Sequence, residues 1–219
     1  ANLAATGISA IFWLYIASLL GAEEYGEIGY FIAIAGIAST VSLVGASNTL
    51  TIYTAKEVRI QASIFFIAIL SSTITAIIVY FLFTNIGISL YILGYVIFGL
   101  AVSEILGRKL YSDYSKYLLI QRVLMVIFAI GLYFLIGPNG ILLGMAFAFF
   151  PYVFRIYKGF KETKIEFSLV KPRLGFMANS YLLDLSRALS GYMDKIVIAP
   201  LFGFAILGNY HLALQLLAI

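Results

Sequence analysis

Across 219 residues the chain carries 63% hydrophobic and only 11% charged side chains, with a mean hydropathy of +1.03; soluble domains carry roughly 25% charged residues, so a water-soluble fold is excluded. Fourteen Lys/Arg against ten Asp/Glu leave a net charge of +4, but most of the basic residues lie between apolar runs, where membrane orientation explains them and nucleic acid does not. Cysteine is absent, which removes structural disulfides and thiolate metal sites.

A helix crossing the roughly 30 Å hydrocarbon core needs about 20 mostly apolar residues. Runs such as IAIAGIA and LLIQRVLMVIFAIGLYFLIG are continuously apolar and lack the alternation of a transmembrane barrel. The expected fold class is therefore all-α and polytopic. Spans are expected at residues 1–20, 28–50, 62–83, 87–106, 118–136, 140–156 and 176–200, with the start of an eighth from about 205. The chain starts at Ala1 and stops inside the apolar run LALQLLAI. It reads as a fragment cut in its first and last spans, so the total helix count stays open; a removed signal peptide is the other explanation for the missing Met.

The connections alternate in charge. GAEEYGE (21–27) holds three acids and no base, while TNIG (84–87) and GPNG (137–140) hold neither. On the other side lie Lys56, Arg59, Arg108, Lys109 and Lys116, together with six bases from Arg155 to Arg173. By the positive-inside rule the basic connections are cytoplasmic, and so is the N-terminus, in a multi-pass protein of the cell membrane.

The one long connection defines the expected organisation: a first transmembrane lobe at 1–157, a basic cytoplasmic linker at 158–175, and the start of a second lobe at 176–219. The linker is either an amphipathic segment on the inner leaflet, with Phe160, Ile165, Phe167, Leu169 and Val170 dipping into the bilayer, or a solvated chain. An internal repeat supports the boundary. LGAEEYGEIGYF from Leu20 and FGFAILGNYHLA from Phe202 share G-x-x-x-x-G, and Gly21/Gly203 and Gly26/Gly208 are each 182 residues apart. That offset equals six spans, so the two units share one orientation about an axis along the membrane normal.

The stretches ASLLGAEEYGEIGYF and YMDKIVIAPLFGFAILGNYHLALQLL resemble the polysaccharide and O-antigen flippase family of the multidrug/oligosaccharidyl-lipid/polysaccharide exporter superfamily. Members often read Leu-Gly-x-x-x-Tyr-Gly after the first span and later Asp-Lys, an apolar run and Gly-x-Tyr. The resemblance implies two six-helix lobes around a central cavity and the flipping of a lipid-linked oligosaccharide by alternating access. It further implies membrane lipid as surroundings, a saccharide polymerase or transferase as partner, and no nucleic acid.

Span 7 carries the most informative charges. At about 100° per residue, Ser180, Asp184, Arg187, Gly191, Asp194 and Lys195 fall within an arc of about 100°. Four ionised groups facing lipid, at about 2.5–3.5 kcal/mol each even on a permissive scale, would be close to prohibitive, so the stripe is expected to face protein or water. In a structural reading Asp184 and Arg187 pair at i,i+3 while Asp194 and Lys195 reach headgroup water. In a functional reading Arg187 and Lys195 hold the pyrophosphate of a lipid carrier, and Asp184 and Asp194 pair the cations or bind a driving ion. Arg122, about one turn into span 5, is a further cavity candidate unless it snorkels outward. Glu104 and Arg108 form an i,i+4 helix pair. Asn48 and Asn179 are candidates for bonds between helices, His211 for a proton relay, and Gly140/Gly144 for a weak dimer contact.

No phosphate-binding loop, zinc-protease helix, nucleophile elbow or metal-ligand cluster occurs in the sequence, so an enzyme, a metal and a cofactor are not expected. A cation-coupled multidrug exporter of the same architecture is the nearest alternative, favoured by an apolar, acidic cavity. A membrane glycosyltransferase would carry a long acidic loop, and a scaffold would not need the charged stripe.

Overall fold

The computed structural model describes residues 2–217, with side chains from Ala5 onward. Residues 1, 218 and 219, which the expected first and eighth spans include, lie outside the described residues. The described chain is helical from end to end, in the order α1 (Asn2–Leu43), α2 (Ala46–Ala55), α3 (Gln61–Phe83), α4 (Ile86–Gly107), α5 (Tyr111–Ile136), α6 (Asn139–Phe147), α7 (Val153–Glu162), α8 (Phe167–Val170), α9 (Leu174–Phe202) and α10 (Phe204–Leu217). Five segments are long and apolar enough to cross a membrane: Ala5–Leu43, Gln61–Phe83, Ile86–Gly107, Tyr111–Ile136 and Asn139–Glu162. The protein is a multi-pass, all-α membrane protein. At 1.5 Å per residue, the 29 residues of α9 reach about 44 Å, enough to span, and its charged and polar side chains set it apart from the five apolar segments.

The first connection is shorter than the sequence implies. GAEEYGE is helical except at Gly21 (φ 73°, ψ 175°), a conformation that glycine alone adopts without strain. Glu23 and Glu24 fall in the first turn of the arm that restarts at residue 22, where carboxylates complement the helix dipole. That arm folds back on residues 2–20, bringing the Trp13 and Tyr25 rings within 6.1 Å. Gly203 (φ 89°, ψ 164°) repeats the device between α9 and α10, and there Tyr210 donates a hydrogen bond back to Asp194 at 2.6 Å.

The repeat extends to packing. A Cβ on Gly26 would collide with the carbonyl oxygen of Phe204, and one on Gly208 with the carbonyl oxygen of Ala22. Phe204 and Ala22 are themselves 182 residues apart, so the second arm of α1 and α10 cross through a reciprocal contact. That is the signature of a two-fold relation between the two units. The crossing requires backbone against backbone, which only the missing side chains of these glycines permit.

Span 2 is longer than expected and broken. It stops at Leu43, turns through Val44 (φ 49°) and Gly45 (φ 72°), and resumes as α2. A Cβ on Gly45 would run into the backbone of Met177 and Tyr181, so the break lets α9 lie against span 2. Gly140 and Gly144 serve packing inside the lobe: their faces abut the backbone of Leu132, Phe128 and Ala129 on α5, leaving no dimer contact to make.

Two apolar clusters hold the helices. One joins Phe12, Trp13, Ile16, Tyr25 and Ile28 of α1 to Ile88 and Ile92 of α4, Met125 of α5 and Ile141 of α6. The other, at the end where the basic connections gather, joins Leu50 of α2, Ile64 and Phe65 of α3, Leu100 of α4, Ile156 of α7 and Met177 of α9. Between those helices a charged network is built around one fully buried carboxylate. Glu104 has no exposed side-chain surface, accepts two hydrogen bonds from Arg155 at 2.7 and 3.0 Å, and pairs with Arg108 at 2.6 Å. Arg108 also bonds Glu162, which Lys158 approaches at 3.7 Å. The sequence offered only the Glu104–Arg108 half of this arrangement.

The expected linker is largely ordered helix. The sixth span, interrupted by a short 3₁₀ turn at Phe150–Tyr152, continues as α7 to Glu162, five residues past the expected lobe end at 157. The chain beyond is bound to α3: the Ala62 N–H donates to Thr163 Oγ1 at 3.0 Å and the Glu166 N–H to Ser63 Oγ at 2.8 Å. Phe160, Leu169 and Val170 pack into the second cluster, whereas Ile165 and Phe167 are exposed. A fully solvated linker is thereby ruled out.

Candidate functional site

Midway along α4 and α9, a cavity of ≈ 330 Å³ opens between the second arm of α1, α2, α4 and α9. Thr40, Ser47, Asn48, Tyr95, Asp184, Arg187 and Tyr192 supply its polar surface. Each is placed by a local feature already described. The break at Val44–Gly45 brings Ser47 and Asn48 round to α9, and Gly36 leaves room for the Tyr192 ring, which a Cβ there would meet at 2.5 Å.

Asp184 is held from both sides. The Asn48 amide donates to its two oxygens at 3.3 and 3.2 Å, and Arg187 pairs with it at 3.7 Å from one turn further along α9. A carboxylate at this depth is tolerable because its lone pairs are occupied and its charge is countered. Arg187 is 72% exposed, against 26% for Asp184. Asp184 is therefore the anchored member, and most of the guanidinium remains free for a ligand.

The structure divides the stripe into two halves. Asp184 and Arg187 pair as the structural reading expects, yet they line a cavity as the functional reading expects. Asp194 and Lys195 lie further along α9 and outside the cavity lining. Asp194 accepts from the Tyr210 hydroxyl at 2.6 Å and from the Lys195 N–H at 2.8 Å, which ties α9 to α10. The Lys195 ammonium stands 5.4 Å from the centre of the Tyr192 ring, a cation–π contact on a residue that does line the cavity.

Arg122 lies well inside α5. Because α5 begins at Tyr111, Arg122 lies about three turns in, roughly 17 Å along the helix. Among the described residues it has no acidic partner; its Nη1 contacts Met125 Sδ at 3.8 Å. It is outside the cavity lining, but its charge acts on Tyr95 and Tyr192. Of the remaining polar positions, Asn48 bonds between helices as expected, Asn179 is exposed, and His211 is buried at the α1–α10 crossing. Sequence reasoning missed Tyr95 and Tyr192. A tyrosine in the middle of an apolar span, as Tyr95 is, was the available signal.

The site can hold an anion by charge-assisted hydrogen bonds from Arg187, with two phenols and the Ser47 hydroxyl as further donors, the Thr40 hydroxyl being given to the Gly36 carbonyl. Among the described residues no cluster of metal-ligating side chains occurs. The fold and the cavity define a polytopic helical membrane protein with a charged site at mid-depth. No family model, no curated protein and no solved structure matches the chain.

Proposed function

We propose that the protein is a secondary transporter that flips a lipid-linked oligosaccharide across the cell membrane by rocking one lobe against the other. The observation that carries this reading is the mid-depth cavity in which Asp184 is anchored by Asn48 while Arg187 stays open to a ligand. A guanidinium at this depth is costly unless it is used, and its planar donors match the oxygens of a phosphate or pyrophosphate. Hydroxyls and tyrosines around it suit a sugar, which offers both polar edges and apolar faces. Arg122, whose charge acts on the tyrosines, and Lys195 beyond Tyr192 add positive potential to the same region.

The reciprocal α1–α10 crossing supports a two-lobed plan in which a second unit completes the cavity. Eleven basic residues gathered at one end favour an orientation with that end, and the N-terminus, in the cytoplasm. In this setting the substrate arrives from a membrane transferase and leaves towards a saccharide polymerase.

The test is photocrosslinking. A benzophenone side chain at Tyr192 should capture a radiolabelled lipid-linked oligosaccharide, and one at the lipid-facing Phe81, 77% exposed, should not. Capture of lipophilic cations at Tyr192, with no saccharide lipid, would instead select the multidrug-exporter reading.

A further inference from the structure

The chain's only histidine and its only tryptophan meet at the crossing of α1 and α10. His211 is 6% exposed. Its ring stacks on Tyr25 with centroids 5.1 Å apart and lies 5.8 Å from Trp13. Gly29 makes room for it, since a Cβ there would stand 2.6 Å from Nδ1. This places the imidazole between the two arms of α1 and α10, on the reciprocal contact that joins the two units.

The hydrogen-bond inventory of that ring is incomplete. Nε2 faces Gln215 Nε2 at 3.2 Å, and Nδ1 has no partner; the buried Tyr25 hydroxyl has none either. A neutral imidazole tolerates this as its Nε2–H tautomer, which donates to the Gln215 oxygen once that amide is turned and leaves only a lone pair on Nδ1 facing Gly29. An imidazolium does not. It carries two N–H donors, and Gln215 can serve one of them after turning its amide. The other is left without an acceptor, whichever nitrogen took the proton.

The surrounding groups set what happens next. On α1, the Tyr25 and Trp13 faces accept a cation through their ring quadrupoles. On α9, the charges of Asp194 and Lys195 reach the ring, but Asp194 is already engaged by Tyr210 and by the Lys195 N–H. On α10, Gln215 and Tyr210 are the polar neighbours. A charged ring can satisfy its second donor only if the crossing loosens enough to admit water or to free Asp194.

We propose that His211 is a proton-binding site whose occupancy loosens the contact between α1 and α10, and so biases how the two units sit against each other. The site is separate from the cavity at Arg187, and the inference does not rest on the saccharide reading.

Two measurements on the same purified chain test it. Emission from Trp13 should fall along a one-proton curve as the pH is lowered from roughly 7 to 3, the range in which a buried imidazole takes its proton, because an imidazolium beside an indole quenches it. With no native cysteine to remove, spin labels at Glu24→Cys and Ile206→Cys, exposed positions 182 residues apart on either side of the crossing, should report a longer or broader distance at the acid end. His211→Gln and His211→Phe should both abolish the quenching step and hold the distance constant. The Phe variant keeps the aromatic stack, so it remains informative if the Gln variant is unstable. A distance that does not change with pH in the parent, or that changes equally in both variants, overturns the proposal. Quenching without a distance change also overturns it, because the proton would then bind without moving the crossing.

Discussion

Replacing Glu104 by alanine should be among the most damaging single changes in the chain, and its neighbours should rank below it in a fixed order. Glu104 has no exposed side-chain surface and accepts from both Arg155 and Arg108. Its removal deletes three charge-assisted contacts and strands Arg155, whose side chain is only 12% exposed. Breaking a buried pair by deleting one partner costs about 3–5 kcal/mol, and the stranded guanidinium places Glu104→Ala near the top of that range. Arg155→Ala should cost about 3 kcal/mol, because Glu104 keeps Arg108. Arg108→Ala, at 32% exposure, should cost about 1–2 kcal/mol. Lys158→Ala, whose pair with Glu162 is exposed and 3.7 Å long, should cost less than about 1 kcal/mol. At about 2–4 °C per kcal/mol for a chain of this size, the melting midpoint in detergent should fall by roughly 8–20 °C for Glu104→Ala and by no more than about 4 °C for Lys158→Ala. A double-mutant cycle on Glu104 and Arg155 should return a coupling above about 1 kcal/mol. Equal shifts for Glu104→Ala and Lys158→Ala, or a coupling near zero, would show that the buried network does not hold α4 to α7.

Three further outcomes follow from the same contacts. Gly26→Val and Gly208→Val should destabilise to a similar degree, each by about 3 kcal/mol or more, since each drives a side chain into the partner helix backbone; strongly unequal melting shifts would argue against the reciprocal crossing. Thr163→Val removes the oxygen that accepts the Ala62 N–H and should cost about 1 kcal/mol, read as a small fall in melting temperature with the fold retained. Asn48→Leu leaves Asp184 with Arg187 alone and should cost about 1–3 kcal/mol; Asn48→Asp, which sets two carboxylates together, should cost more.

The spans were legible because hydrophobic runs of membrane length have few alternative explanations, and the repeat was legible because Gly21, Gly26, Gly203 and Gly208 stand at one offset. Asp184 and Arg187 could be placed on one helical face for the same local reason. What escaped was long-range. Glu104 and Arg155 are 51 residues apart, and no local spacing connects an acid ending one span to a base in another. The GAEEYGE turn was read too long because three glutamates look like a solvent loop, although acids also favour a helix start. Arg122 lies about three turns into α5 rather than one turn into the expected span, because α5 begins at Tyr111, seven residues before the expected start. The stripe was read as one unit, whereas Asp194 bonds Tyr210 across the α9–α10 contact and Asp184 and Arg187 line the cavity.

The most direct measurement is leaflet transfer of a fluorescent lipid-linked oligosaccharide in proteoliposomes, with Arg187→Ala run beside the parent and Phe81→Ala as a lipid-facing control. A charge-assisted hydrogen bond is worth about 1.5–3 kcal/mol, so the account predicts transfer by the parent and by Phe81→Ala, with a loss of roughly 10- to 100-fold in folded Arg187→Ala. A folded parent that transfers no faster than empty liposomes, or an Arg187→Ala variant that transfers at the parental rate, would contradict it.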